Sequence, residues 1–189
     1  MVIVVIGLLG VLGLQTKATN SEFEAYQRGQ ALGLIRNMEN RFFASREVIS
    51  QYVVGSSVSS TDGSVSVGYG DADQDCTILP AARRNLCEWG ALLKGIAATE
   101  GTRTVGAMLG ARGCLIRQSP PEGNALADIY VVVVWRGVVP DIEPAADSPA
   151  ARCASNVNYG AGLRRGLSLR LLVPDLTQDS TGGGPIYTE

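Results

Sequence analysis

The chain has 189 residues, with 16 Lys and Arg against 18 Asp and Glu and a formal net charge of −2 at pH 7. This length fits one domain with an appendage, and the balanced charge without a basic field argues against direct nucleic-acid binding. Histidine is absent, which excludes catalytic triads of the Ser-His-Asp and Cys-His kinds and makes an enzyme the less favoured class.

The first stretch, from Met1 to about Val53, has the pattern of one continuous helix whose two halves differ. Residues 1–14 carry no charged or polar side chain, and Lys17 is the first charge. At 1.5 Å per residue this apolar part is about 21 Å long, short of a bilayer crossing. Such a segment favours lipid or other protein over water. Its candidate membrane or filament residues are Val2, Ile3, Val4, Val5, Ile6, Leu8, Leu9, Val11, Leu12 and Leu14.

From Ala31 onward, apolar residues recur at alternating steps of four and three, which predicts an amphipathic helix with one buried face. This stripe runs through Ile35, Met38, Phe42, Ile49 and Tyr52, with the small Ser45 between them. We expect a folded head to cover the stripe and to begin contacting the helix near Ala31. The predicted division is a protruding helix over residues 1–30 and a globular head over residues 31–189.

Glycine and serine dominate residues 53–70, which predicts a loop region in which any strand is short. Asp71, Asp73 and Asp75 follow with the spacing of the front of a calcium loop. The required Gly five residues after the first Asp and Glu eleven residues after it are missing, because Cys76 and Ala82 stand there. A solvated acidic turn is therefore favoured over a metal site, and we expect no metal-binding, cofactor-binding or catalytic residues.

A second, short helix is predicted after this turn. Pro80 suits the first turn of a helix, and Leu86, Trp89 and Leu93 recur at steps of three and four until Gly95 ends the pattern. Trp89 is the large residue of its apolar face, and we assign it to the core of the head.

Strand patterns occur in the second half of the chain, at residues 114–117, 127–135 and 167–173. The run from Tyr130 to Trp135 is apolar on both faces, which predicts a central strand that places Trp135 in the core beside the long helix. Residues 119–124 are typical of a hairpin loop, and residues 140–149 form a proline- and alanine-rich excursion. The polar tail after Pro174 suggests a loose C-terminus. One long helix, a short helix and a small antiparallel sheet make an α+β fold.

The four cysteines form an even set, with no C-x-x-C spacing and no histidine to complete a zinc site. Two disulfides in an oxidising compartment are favoured over four reduced thiols in a cytosolic protein, which places the head outside the cytoplasm. We predict the pair Cys76–Cys87 from proximity in the sequence. The pair Cys114–Cys153 would then pin the proline-rich excursion to the sheet.

Two sets of motifs carry a family resemblance. In the helix they are Gly7-Leu-Leu-Gly-Val-Leu-Gly-Leu-Gln15, Tyr26-Gln-Arg-Gly-Gln-Ala31, Asn37-Met-Glu-Asn-Arg41 and Ala44-Ser-Arg46. In the head they are Asp75-Cys76-Thr-Ile-Leu-Pro80, Leu86-Cys87-Glu-Trp89, Gly113-Cys114, Tyr130 to Gly137, and Cys153 ahead of a final strand. Up to about Val173, these motifs and their order resemble PilV-type minor pilins of bacterial type IV pili.

The chain departs from that family at its start. The short basic leader, the Gly before the cleavage point and the mature start of the Phe-Thr-Leu-Ile-Glu kind are missing. By this resemblance the sequence is expected to begin inside the family's membrane segment.

The resemblance implies a type IV pilin-like fold and a non-catalytic subunit. Such a subunit lies in the inner membrane with its head in the periplasm, and after assembly it takes its place at the extracellular pilus tip. Its partners would be other minor pilins and the major pilin, through the N-terminal helix, and a tip adhesin. It would help to start the filament and support motility and attachment and, in some bacteria, DNA uptake.

Two alternative functions also fit an apolar N-terminal helix that lies in a membrane. One is a type II secretion pseudopilin, which shares the architecture. The other is a membrane-tethered extracytoplasmic binding module or enzyme, which a pair of carboxylates converging in a deep pocket would favour.

Overall fold

The computed structural model describes residues 2–45, 52, 64–95, 99–100, 103–104, 108–118 and 125–174. Its elements in chain order are α1 (Val2–Ala44), β1 (Ser64–Gly68), α2 (Ala81–Leu93), β2 (Thr99–Glu100), β3 (Arg103–Thr104), β4 (Arg112–Arg117), β5 (Ala125–Arg136), α3 (Pro149–Arg152) and β6 (Arg164–Pro174). The strands β1, β4, β5 and β6 form an antiparallel sheet in the order β1-β4-β5-β6, and β2 pairs with β3 separately. The fold is α+β, as the sequence predicts.

The long helix α1 ends earlier than its apolar pattern suggests. It stops at Ala44, and the next residue forms a turn in which the backbone N–H of Ser45 donates to the Phe42 carbonyl at 3.2 Å. The rings of Phe42 and Tyr52 lie 4.5 Å apart, whereas ten residues of continuous helix would separate them by about 15 Å along the axis. The prediction of one helix to Val53 is therefore wrong. Tyr52 joins the core by folding back on α1, where it is fully buried.

The main core lies between one face of the sheet and the two helices. Ala31, Ile35, Met38 and Phe42 of α1 are buried there, as is Trp89 of α2. From the sheet, Leu115 and every second residue of β5 from Ile129 to Trp135 point into the same cluster. The alternation follows from the period of two in a strand, and the stripe on α1 follows from the helical period.

Helix α2 packs so closely on the sheet that one strand residue must be glycine. A Cβ built on Gly113 would lie 2.3 Å from the Trp89 ring, so any side chain there would displace the indole. The helix ends where the sequence predicts, because Gly95 adopts a φ of +74° just after the last turn, a conformation that glycine adopts without strain.

The strand β5 is central, with β4 on one side and β6 on the other, and residues 131–135 are buried on both faces. This confirms the prediction for the Tyr130 to Trp135 run. The five-residue β1 lies in the region predicted to be mainly loop and pairs with β4 from Ser64↔Ile116 to Gly68↔Arg112. The hairpin loop at residues 119–124 and the tail after Pro174 lie outside the described residues, as does Ile49.

The opposite face of the sheet carries a second, smaller core. It is covered by residues 149–159, and its buried members are Cys114, Ile116, Val132, Val134, Ala150, Cys153, Ala154 and Tyr159. The sheet is therefore covered on both faces, by helices on one side and by the disulfide-linked residues 149–159 on the other.

Candidate interaction surface

The first half of α1 extends away from the head and presents its apolar side chains on every side. Leu8, Leu9, Val11, Leu12 and Leu14 are all more than half exposed, and Leu14 reaches 71%. At 100° per residue these five positions span about 220° of the helix circumference, so no single face of a head could cover them. The hydroxyls of Thr16 and Thr19 donate to the helix carbonyls of Leu12 and Gln15, at 3.1 and 3.0 Å.

No helix within the residues that the structure describes is both long enough and apolar enough to cross a membrane. The backbone of Val2 to Ile6 is helical, and their side chains lie outside the description.

Ahead of the apolar stripe, the head holds α1 through two polar pairs. The Trp135 indole donates to the Gln27 side-chain oxygen at 3.1 Å, and the Arg165 guanidinium pairs with the Glu24 carboxylate at 3.1 Å. Gln27 is 2% exposed and Arg165 is 5% exposed, so both contacts are shielded from water. The expectation that contact begins near Ala31 is therefore corrected by up to two helical turns.

The apolar stripe could not indicate these contacts because the residues that make them are polar. The sequence feature that could have indicated a polar contact is Trp135 itself, since a buried indole N–H normally needs a hydrogen-bond acceptor. We refer to Glu24, Gln27, Trp135 and Arg165 as the exit latch, because they fix the point at which α1 leaves the head.

The exit latch also holds the beginning of the proline-rich excursion. Besides Glu24, the Arg165 guanidinium donates to the Val139 carbonyl at 2.6 Å and to the Gly162 carbonyl at 2.9 Å. The Asp141 N–H donates to the same Gly162 carbonyl, and the Glu143 carboxylate accepts from the Gly162 N–H, both at 2.8 Å. Residues 138–143 are therefore held beside α1 by the Arg165 guanidinium and by bonds to the backbone of Gly162.

Arg164 organises residues 150–157, which follow the excursion. Its guanidinium donates to the backbone carbonyls of Ala150, Cys153, Ala154 and Val157, at 3.4, 2.7, 3.0 and 3.1 Å. It also lies 4.8 Å from the centroid of the Tyr159 ring. Burial raises the pKa of the Tyr159 hydroxyl, and the positive charges of Arg164 and Arg112 oppose that rise. One cation thus donates to four carbonyls of this segment, of which the Ala154 carbonyl also accepts from the Val157 N–H.

Both predicted disulfides are present. Cys76–Cys87 joins the acidic turn to α2, and Cys114–Cys153 joins β4 to the end of α3, each with Cα atoms 5.6 Å apart. The second bond does pin the excursion to the sheet, as predicted. Two disulfides indicate an extracytoplasmic location, because such bonds persist in oxidising compartments.

The acidic turn uses its carboxylates within the head. Asp71 pairs with Arg112 at 3.0 Å and Asp73 pairs with Lys94, while Asp75 accepts from the hydroxyl and N–H of Thr77 at 2.7 and 2.9 Å. The bond from the Thr77 hydroxyl, and then that from its N–H, lowers the pKa of Asp75. Among the residues described, no three Asp, Glu or Cys side chains are grouped closely enough to hold a metal ion.

A groove of about 360 Å³ lies between this turn and α2, with Cys76, Cys87 and Leu86 in its wall. Asp71 and Asp73 also line it, and each is paired with its own cation rather than with the other carboxylate.

A helix of 43 residues whose second half packs on an antiparallel four-stranded sheet, with two disulfides in the head, is consistent with a pilin-like architecture. Comparison with known proteins gave no matching family model, no matching curated protein and no matching solved structure.

Proposed function

We propose that this chain is a minor pilin of the PilV type, a non-catalytic structural subunit at the tip of a type IV pilus. In this role it helps to start the filament and to display an adhesin, and it supports motility and attachment. Before assembly the apolar half of α1 lies in the bacterial inner membrane with the head in the periplasm. After assembly that half packs against the helices of other minor pilins and the major pilin.

The observation that carries the proposal is the contrast within α1. The head buries Ala31, Ile35, Met38 and Phe42, but it leaves Leu8 to Leu14 bare on all sides. Burying apolar surface is worth about 25 cal/mol per Å², so a bare apolar rod is strongly driven to exchange water or lipid for other protein. A membrane-tethered module needs only an anchor, whereas a filament subunit needs a helix that can be covered on all sides by its neighbours.

The sequence motifs give independent support. The Cys76 to Pro80 and Cys87 to Trp89 motifs resemble the family's head, and the structure links these two cysteines to each other. The excursion and the region after Val54 are the head segments least needed for the core, and we expect them to contact neighbouring minor pilins or the adhesin.

The test is co-purification of the full-length chain with the pilin-like proteins of its own cell. We expect it to bring down a second pilin-like subunit, and this association should disappear when residues 1–20 are removed. Shortening residues 140–149 should weaken the association without abolishing it. The matched control is the thermal unfolding of the truncated chain, which should be unchanged because the exit latch begins at Glu24.

The proposal fails if the full-length chain stays monomeric in detergent with each of those proteins and if deleting its gene leaves piliation, motility and attachment unchanged. A membrane-tethered binding module would then replace it. Turnover of an ester, peptide or glycoside that a single substitution in the head abolishes would favour the tethered enzyme.

A further inference from the structure

An exposed flank of α1, beside its buried stripe, carries an apolar residue between two cations. Arg28, Leu32 and Arg36 follow at steps of four, so they form one ridge along the helix about 12 Å long. Leu32 is 43% exposed, and both arginines are exposed. Within the part of the chain that the structure describes, neither Arg28 nor Arg36 forms an ion pair or hydrogen bond through its side chain.

These two arginines differ from the other arginines that face the helices and the sheet. Arg41 pairs with Glu88 at 2.5 Å, Arg112 with Asp71, and Arg165 with Glu24. Among the described residues, the charges of Arg28 and Arg36 are therefore available to a partner from outside the molecule.

The excursion presents the reverse arrangement. Ile142 is 90% exposed, the highest value among the large apolar side chains described, and it lies between Asp141 and Glu143. Residues 137–148 contain a third acid, Asp147, and no Lys or Arg. The Arg165 guanidinium and the backbone of Gly162 hold this segment in place, so an apolar knob between two acids is presented in a fixed position.

Glu24, four residues before Arg28, begins the same ridge, and the excursion lies beside it. Within one molecule the ridge and the apolar knob still do not pair, because Ile142 stays 90% exposed and neither Arg28 nor Arg36 forms an ion pair among the described residues. The two surfaces suit each other across two molecules. Asp141 and Glu143 are at most about 7 Å apart along the chain, which is less than the ridge length of about 12 Å. The side chains of Arg28 and Arg36 must therefore bend towards Leu32 to meet the two carboxylates. Beside the ridge, a Cβ added to Gly29 or Gly33 would meet no atom within 4 Å, so a second molecule can approach the helix closely.

We propose that Asp141, Ile142 and Glu143 of one molecule dock on the ridge Arg28, Leu32 and Arg36 of a second copy of this chain. The inference rests on the proposed function, and it takes the neighbouring minor pilin that the excursion contacts to be a second copy of this chain. Charge complementarity argues for this occupant, because an anionic lipid surface would repel the three acids of residues 137–148. The contact joins two different patches, so it extends as a row of subunits unless its rotation closes a ring.

Cross-linking of full-length chains in detergent tests the contact. A chain with Ile142→Cys is mixed with a chain with Leu32→Cys, and a short bismaleimide links thiols that lie close together, since the four native cysteines are held in disulfides. We expect a cross-linked dimer from this mixture. The matched control replaces the first chain by one with Ile78→Cys, which is also highly exposed but lies in the turn before α2, and it should give no dimer.

Charge exchange provides the second measurement. Asp141→Lys or Arg36→Glu alone should lower the yield of cross-linked dimer about twofold to fivefold, as expected for an exposed charge pair. A chain that carries both changes should regain the original yield, because the pair is restored with its signs reversed. Equal dimer yields with Ile78→Cys, or single losses that the double change does not restore, would overturn the docking.

The result also separates this inference from the proposed function. If the chain still co-purifies with a pilin-like subunit through residues 1–20 but gives no dimer through Ile142, the filament role stands and the self-contact is wrong. If Ile142→Cys links only to a different pilin-like protein, the second copy is the wrong occupant. Failure of both associations would remove the filament role itself.

Discussion

The two halves of α1 share one backbone hydrogen-bond ladder but differ in what covers them. From Gly7 to Thr19 every residue is exposed, whereas Gln27, Ala31, Ile35, Met38 and Phe42 are buried against the head. An isolated helix gains little in water from propensity alone, and most helix stability comes from packing one face. The second half is therefore stabilised by its own chain, and the first half depends on lipid or on other subunits.

The exit latch marks the boundary between these halves. Because Glu24 and Gln27 are bound to a buried arginine and a buried tryptophan, the boundary is set by polar contacts rather than by a change in hydropathy. Buried polar pairs of this kind need a defined geometry, and they fix the register of one element on another. The head thus determines how far the bare part of the helix extends.

The largest effect should come from removing an apolar side chain on the covered half. Ile35→Ala leaves a cavity in a fully buried site and should lower the free energy of unfolding by about 2–5 kcal/mol. Denaturant unfolding of the full-length chain in detergent measures this. Leu12→Ala, on the bare half, is the matched control and should change head stability by less than about 0.5 kcal/mol. Similar losses from both substitutions would mean that the halves are not independent.

A smaller effect is expected at the boundary itself. Gln27→Leu keeps a side chain of similar size but leaves the buried Trp135 indole without its acceptor, which should cost about 1–3 kcal/mol of unfolding free energy. The same denaturant measurement applies, and Gln15→Leu on the bare half should leave it unchanged. Combining Gln27→Leu with Trp135→Phe should cost less than the sum of the two single changes, since each removes the same bond. Simple additivity would show that the bond does not stabilise the boundary.

The smallest effect lies on the sheet face that α1 does not touch. The pKa of Tyr159 is raised in the folded state, so between its unfolded value of about 10 and its folded value the native protein keeps a proton that the unfolded chain has lost. The stability that Tyr159 contributes is complete below about pH 10 and is lost as the pH rises through the folded pKa.

Unfolding of the parent and of Tyr159→Phe should be compared from pH 8 to pH 11. The variant should be less stable at pH 8 by about 0.5–1.5 kcal/mol, because it lacks the bond to the Gly110 carbonyl, and the difference should shrink at high pH. Tyr69→Phe, at an exposed ring, is the control and should run parallel to the parent. A constant difference at Tyr159 would contradict the assigned burial effect.

Much of this architecture can be predicted from local sequence patterns. The stripe from Ala31 to Phe42, the limits of α2 and the central strand follow from periods of 3.6 and 2 and from Pro80 and Gly95, so the sequence predicts them without knowledge of the fold. The pairing Cys76–Cys87 also follows from local spacing. The bare half of α1 is evident from composition alone, since nothing polar interrupts residues 1–14.

The end of α1 and the long-range polar contacts were determined only by the tertiary structure. The end of α1 at Ala44 depends on Tyr52 packing back on Phe42, a gain in burial that a continued stripe does not reveal. The exit latch joins Gln27 to Trp135 and Glu24 to Arg165, which are 108 and 141 residues apart in the chain. A single polar residue makes no periodic pattern in the sequence, and many other polar groups could pair with it. Its partner is therefore determined only when the fold of the sheet and the helix brings the two groups together.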